Sequence, residues 1–519
     1  MVRYMMLKAV NIIVILTVIV LSLAIFGNSM TKVSGHDEQM YCTAGALLAD
    51  GKMIYRDFSY VAQLPYHPLL CAAAFKIFDT TYYLLTARIL SSLCDILIVV
   101  CIIGIYNRVF KSFSISGRLL GMAGVFLYLF NPFVDYANGF AWNHDAVVLC
   151  VCLSFWIFIS TDFEKKSKYL RIAAIGALLT LATFMRITTV LVQLMFFAAL
   201  LTCPAESVKH RIKNILPFLI ATTIVSIWPV WTIISAPQAF LLNIFHIPML
   251  NSRWLNETGM VHDKVDLTFV AFTMPGYPHL IVIAFYLYAA MALWRRKIKM
   301  IKAHNALLAA LLALTFFVIA FIPPTMWKQY LAVPVPLIII SFAYPLLYLR
   351  RLTANDKPNR VFKMGCILTA ICAFFSVYYY LSVLERIPKV FRPQAWEPVK
   401  MHRISEDIAQ RTCEPKLILT LAPLYALESE CDFYPEFSAG SFVYRIADSL
   451  TDDEREVVHA AGPEMLRQLL KQRRPSAVVL NVEFKSLEMP LFEMAVLPGG
   501  EDKWERINYT NGPVVYFKR

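Results

Sequence analysis

Residues 9–27, AVNIIVILTVIVLSLAIFG, run for 19 residues without a charge. As a helix rising about 1.5 Å per residue they reach across the roughly 30 Å of hydrocarbon in a bilayer. A signal peptide has a shorter apolar core and a small-residue cleavage site, so the run reads as an uncleaved first span. Further apolar runs lie at 87–106, 118–134, 145–160, 172–203, 214–234, 278–294, 304–322, 330–349 and 361–381. The run 172–203 is too long for one ordinary span and carries Arg186 in its middle. Two short helices meeting at Arg186 account for it, which predicts about 11 spans.

Composition agrees. Of 519 residues 58% are hydrophobic and 16% charged, with mean hydropathy +0.57, whereas soluble domains are about half apolar and about a quarter charged. Disordered, collagen-like and small disulfide-rich chains are excluded. The net charge of +13 would point to nucleic acid in a soluble protein, but its distribution gives another cause. With the N-terminus inside, the inner segments hold 22 basic residues against four acids, while the rest of the chain before residue 385 has 9 basic and 11 acidic residues. The positive-inside rule therefore places the N-terminus in the cytoplasm. An odd number of spans then puts the C-terminus outside, and no nucleic-acid partner is expected.

After residue 384 no spanning run remains, and residues 385–519 carry 18 basic and 21 acidic residues. Segments 416–421 and 477–480 read as short buried strands. Segment 452–471 reads as one helix, opened by Thr451 with Glu454 three residues on, a capping-box pattern. The expectation is a mainly α polytopic membrane protein, with residues 1–384 as the membrane domain and 385–519 as a small extracytoplasmic α/β domain. Of 11 cysteines most fall in the spans, where a small apolar residue is the ordinary reading. Cys413 and Cys431 flank one strand and loop outside, and are candidates for a disulfide in an oxidising compartment.

The chemistry-bearing residues gather in the first outer loop. His36-Asp37-Glu38 opens a helix-like stretch with Tyr41, Ala44, Leu47 and Leu48 on one face, stopped by Gly51. An amphipathic helix of this kind is expected along the membrane surface. Tyr55-Arg56-Asp57-Phe58 and Gln63-Leu64-Pro65-Tyr66-His67-Pro68 follow. Acids favour a helix N-terminus for electrostatic reasons alone. Adjacent residues diverge by about 100° around a helix, so one carboxylate can face a cavity while the other caps or pairs with an arginine.

This arrangement resembles the GT-C fold glycosyltransferases, in the bacterial branch related to protein O-mannosyltransferases and lipid A aminoarabinose transferases. The resemblance covers the whole architecture and is sharpest from Asp37 to Pro68. It implies an extracytoplasmic transferase that takes a sugar from a polyprenyl-phosphate carrier and passes it to a hydroxyl of a lipid, polysaccharide or protein acceptor. Asp37 then matches the first-loop acid that serves as general base or metal ligand, with Glu38 as its catalytic neighbour. Leu64-Pro65 stands where aminoarabinose transferases have Lys-Pro, so their donor and acceptor are not carried over.

Sugar transfer from a phosphate carrier needs a base at the acceptor hydroxyl and cations at the leaving phosphate. The cation candidates are Arg186, Lys328 and Arg56. Each has an ordinary alternative: a snorkelling arginine, an interfacial Trp327-Lys328-Tyr330 anchor, and a pair with Asp57 or Asp37. Tyr55, His67, Asn143, His144, Asp145 and His262 are candidate substrate contacts. Asp145 with Asp37 is also a candidate site for a divalent cation (Mg or Mn), although Asn143 and Asp145 suit a helix cap equally well. Asp95 is the sole carboxylate deep inside an expected span. Such groups are costly and partnered or functional, so it is the best argument for the competing class, a membrane transporter or lipid-linked sugar flippase. The implied location is the inner (plasma) membrane.

Overall fold

The computed structural model describes residues 2–203, 207–261, 263–296, 303–323, 325–352 and 359–519, and these are mainly helical. Among the described residues seven helices are long and apolar enough to cross a membrane: Met5–Thr31, Tyr83–Val109, Lys111–Leu129, Lys209–Ser235, Ala303–Phe321, Lys328–Arg350 and Arg360–Tyr379. The pair Lys264–Thr273 and Tyr277–Leu293, bent by 67°, makes an eighth if it counts as one span. The remaining expected runs are helical but shorter, at His144–Ser160 and Ile187–Leu201 and at Lys168–Thr183. A helix stands at every place the hydropathy marks, and seven or eight qualify as spans by length and composition.

The long run does break beside Arg186. One helix ends at Thr183, Arg186 is extended (φ −146°, ψ 109°), and a tight turn over Ile187–Thr189 starts the next. The run 118–134 also breaks. Asn131 accepts a bond from the Phe133 amide at 3.0 Å and Pro132 takes the first position of the helix Pro132–Ala137, where its missing N–H costs nothing.

The first-loop helix His36–Ala49 is not the surface amphipathic helix expected. Every residue from Glu38 to Ala46 is buried, because the helix is covered from two sides. Against Tyr66–Phe78 the approach is so close that a Cβ on Gly45 would stand 2.8 Å from Cys71 Cβ and 2.9 Å from the Phe75 ring. From the other side, the Leu424 amide donates to Gln39 Oε1 at 3.1 Å.

The C-terminal part holds a five-stranded sheet made of β1 (Leu417–Leu419), β2 (Asp432–Phe433), β3 (Ala477–Leu480), β4 (Trp504–Asn508) and β5 (Val514–Lys518), in the order β2-β1-β3-β5-β4. β1 is parallel to β2 and β3, while β5 is antiparallel to β3 and β4. Alternation along the strands builds two cores. Ile418, Ala477 and Val479 join Met401 and Ile408 with Cys42, Cys71 and Phe75 of the first loop. Leu419, Val478 and Leu480 pack instead on Leu466, Leu470 and Leu491. One face of the sheet thus shares its core with the helices that carry Asp37.

Two further expectations are corrected. Thr451 and Glu454 do form the capping box, but that helix ends at Val457 and a second one runs Pro463–Gln472, since Gly462 and Pro463 interrupt the ladder. Cys413 and Cys431 are free thiols, turned to the Lys518 and Ser429 carbonyls respectively.

Candidate functional site

The site begins with a buried ion pair. Glu38 Oε1 accepts from Arg88 Nε at 2.8 Å and from the Ala141 amide at 2.6 Å. Glu38 Oε2 accepts from Arg88 Nη2 at 2.6 Å and from the Gly35 amide at 2.9 Å. Arg88 Nη1 donates in turn to the Ser29 and Lys32 carbonyls at 2.9 and 2.7 Å. Both side chains are 0% exposed, and a buried charge pair is tolerated only when its lone pairs and protons are satisfied in this way. The pair ties the end of the first span, the start of the first-loop helix and the 139–143 turn together. Glu38 is therefore engaged at both oxygens, which corrects its expected place in the reaction.

Both carboxylates border the larger cavity, but Asp37, one residue earlier, is half-buried where Glu38 is fully buried. Asp37 lines two cavities, of about 1070 Å³ and about 210 Å³, and Gln63, Trp142, Gln329 and Tyr330 line both with it. The larger extends to the C-terminal part through Phe442, Arg445, Glu483 and Phe484. The smaller holds Arg186 and Asn143 among apolar helix ends, including Ile187, Phe316 and Ile319. Asn143 is the fixture there: its Nδ2 donates to Gln63 Oε1 and the Met185 carbonyl, both at 2.8 Å, and its Oδ1 accepts from Arg186 Nη2 at 3.1 Å.

Electrostatics favour a proton acceptor at Asp37. Burial pushes its carboxyl up from the ordinary 3.8 to about 6, against the opposing pull of His36 and Arg445. That value lies close to neutrality, where a general base is most effective. His36 Nδ1 meets Glu483 Oε1 at 2.8 Å, a bond that raises the imidazole above its ordinary value, and the ring stacks on Phe484 with centroids 5.5 Å apart. Arg445 lies over the Trp254 and Phe442 rings at 5.0 and 5.1 Å, bonds Asn251 Oδ1 at 2.5 Å, and is lowered by burial to about 10.

The other expected site residues scatter. Arg56 is spent on Asp57, with both carboxylate oxygens held at 2.8 Å, and lines neither cavity. Tyr55 is fully buried in a left-handed conformation (φ 67°); its hydroxyl donates to the Gln63 carbonyl at 2.6 Å, so it supports the wall without reaching the cavities. His67 is buried edge-on to Tyr41 at 5.1 Å, behind the site. Lys328 stands at the rim, its Nζ 5.8 Å from the centroid of Tyr136, a residue of the larger cavity. His144 and Asp145 are buried and line neither cavity; Asp145 Oδ2 accepts from the Gly139 amide at 2.9 Å. His262 lies outside the described residues.

The Asp37 and Asp145 pair does not fit a divalent cation, since the two share no cavity. Among the described residues no group of three His, Cys, Asp or Glu side chains could hold a metal ion. Asp95 is partnered: its Oδ1 accepts from the Tyr128 hydroxyl and from Asn138 Nδ2, both at 2.8 Å. Gln63, Tyr330 and Glu483 line the site without being among the expected site residues, whereas Arg445 closes the stretch 422–445, which the sequence offers as an acceptor contact or as a support of the C-terminal domain. Gln63 could have been found, standing in the quoted first-loop motif. Glu483 carried no local signal, because only the docking of the sheet brings it to Asp37.

Neither a protein-family model nor a curated protein matches the sequence. Solved structures do. ArnT from Cupriavidus metallidurans, bound to undecaprenyl phosphate, is similar at TM-score 0.62 with 14% identity, over 98% of each chain. Its apo state gives the same figures. The apo oligosaccharyltransferase of Archaeoglobus fulgidus is similar at TM-score 0.50 with 9% identity, over 97% of this chain and 74% of that one. These likenesses show the fold, which is the GT-C architecture expected from the first loop.

Proposed function

We propose that the protein is a membrane glycosyltransferase, which moves a sugar from a polyprenyl-phosphate carrier to an acceptor hydroxyl on the extracytoplasmic face. The observation that carries this reading is Asp37 on the wall common to two cavities, one wide and partly polar, the other small, cationic and edged by apolar helix ends. A transferase needs that junction. The acceptor occupies the wide side, and the phosphate of the lipid carrier lies at Arg186.

In the proposed reaction the ionised Asp37 takes the proton of the acceptor hydroxyl. The acceptor oxygen forms a bond to the anomeric carbon as the bond from that carbon to the carrier phosphate breaks, with inversion. The polyprenyl phosphate leaves with the electron pair, and Arg186, oriented by Asn143 at 3.1 Å, stabilises the developing charge. Lys328 at the rim adds a second cation. Glu38 positions Asp37 through Arg88. The likeness to an ArnT crystallised with undecaprenyl phosphate supports a polyprenyl carrier, and the polar partners of Asp95 remove the main motive for a transporter. Residues 1–384 would form the catalytic membrane domain of a plasma-membrane enzyme, and residues 385–519 the domain roofing the acceptor cavity.

The test is transfer by purified full-length protein from a panel of radiolabelled polyprenyl-phosphate sugars to membrane extract. Wild type should move label and a folded Asp37→Asn variant should not. Uptake of label into liposomes without transfer would sink the reading.

A further inference from the structure

A third cavity, of about 140 Å³, opens at the other end of the helices and is lined by Arg108, Lys111 and Arg351 with Asn305, Tyr344 and Ile159. Its place follows from the helices that build it. Tyr83–Val109 brings Arg88 to Glu38 near its start and Arg108 to this cavity at its end. Ala303–Phe321 supplies Asn305 here, and Phe316 and Ile319 to the small cavity of Asp37. The site is therefore remote from Asp37, at the end where the sequence gathers its basic loops.

Three cations face one small space, and among the described residues that line it there is no carboxylate. Arg108 is held in place by a neutral partner: its Nε donates to the Ile159 carbonyl at 3.3 Å, and the residue lines the cavity. The next arginine along, Arg350, is stacked on Phe113 at 4.1 Å and is not among the lining residues. The carboxylate of Asp162, on a basic loop, sits with Lys165 at 3.5 Å. Tyr344 and Asn305 at the wall offer neutral polar contacts. The volume corresponds to roughly four or five waters at about 30 Å³ each, enough for a partly dehydrated phosphate group and too small for a lipid-linked sugar.

We infer that Arg108, Lys111 and Arg351 form a binding site for the phosphate group of an anionic phospholipid. A phosphate relieves the repulsion of three converging cations, and basic pockets between membrane helices on the cytoplasmic side meet such headgroups at high local concentration. The exposed rim, at Lys111 and Ser112, is where the headgroup enters. The inference is independent of the transferase reading and survives its failure.

The test is a thermal-shift titration of the purified full chain in detergent, with phosphatidylglycerol, phosphatidylcholine or sodium phosphate. Wild type should bind phosphatidylglycerol at least about tenfold more tightly than phosphatidylcholine. At about 1 kcal/mol per basic residue near an anionic surface, each cation removed should weaken binding about fivefold. Lys111→Gln, at the exposed rim, tests this without disturbing packing, and an Arg108→Gln/Arg351→Gln double variant should weaken binding about 25-fold. Arg467→Gln, on the exposed face of the C-terminal helix Pro463–Gln472, should leave the titration unchanged. Saturable binding of sodium phosphate with the same variant sensitivity supports the site and assigns its source to the free anion. Equal phosphatidylglycerol affinity in wild type and variants, or equal affinity for the two lipids, overturns it.

Discussion

Asp37→Asn is the sharpest perturbation, because its effects on activity and on stability should have opposite signs. A carboxyl whose folded value is raised binds its proton more tightly in the folded state, so ionising it costs stability as pH rises from 3.8 to about 6 and above. At about 1.4 kcal/mol for each tenfold change in proton affinity, that span amounts to about 3 kcal/mol. Asp37 is only partly exposed, and contact with cavity water discounts the figure to about 1–2 kcal/mol. Asparagine has the same shape and never ionises. At pH 8 the variant should therefore melt above wild type by roughly one to three degrees. The gap should narrow as pH falls through 6 and close by about pH 4, where wild type is neutral in both states. Transfer activity in the same preparation should fall by about 10²–10⁴-fold, the usual worth of a general base. Melting curves of both proteins in detergent from pH 4 to pH 8 make the measurement. A variant less stable than wild type at pH 8, or a gap that ignores pH, would refute the assignment of a desolvated, ionised Asp37.

Further outcomes follow from the same geometry. Initial rates of wild type should decline about tenfold per pH unit below about 6, as Asp37 takes up its proton; a flat profile from pH 5 to pH 8 would remove it as the base. Arg186→Gln should raise KM for the lipid-linked donor and lower kcat, whereas Asn143→Ala should reproduce part of this through loss of the 3.1 Å contact to Arg186, both read from donor titrations. Arg88→Leu leaves Glu38 buried with an unpaired charge and should cost about 3–5 kcal/mol, visible as a large drop in melting temperature or loss of folded protein. Gly45→Ala drives a Cβ to 2.8 Å from Cys71 Cβ and should cost about 1–3 kcal/mol by overpacking; an unchanged melting temperature would show that the helices can part there freely.

Much of the membrane part was legible because hydropathy acts locally: each lipid-length run becomes a helix whatever its neighbours do. The break at Arg186 was legible for the same reason, since a charge inside an overlong run has one economical explanation. The first-loop helix shows where that logic ends. Tyr41, Ala44, Leu47 and Leu48 look like one apolar face, yet Glu38 through Ala46 are all buried, since partners distant in the chain cover the polar side too. Glu38 and Asp37 illustrate the same limit within two residues. Their adjacency said that they diverge; only Arg88, 50 positions on, decides which of them is neutralised.

The sequence alone determined the membrane class, the apolar helices, the asymmetry of basic charge and the GT-C resemblance of the first loop, because these depend on composition and short-range pattern. The tertiary structure decided which candidates meet. It retired Arg56 to Asp57, placed His144 and Asp145 away from the cavities, and gave Asp95 its hydroxyl and amide partners. It also carried Arg445 and Glu483 to Asp37 by seating one face of the sheet on the first-loop helices. Contacts of that kind come from cores shared between distant segments, and no local pattern records them.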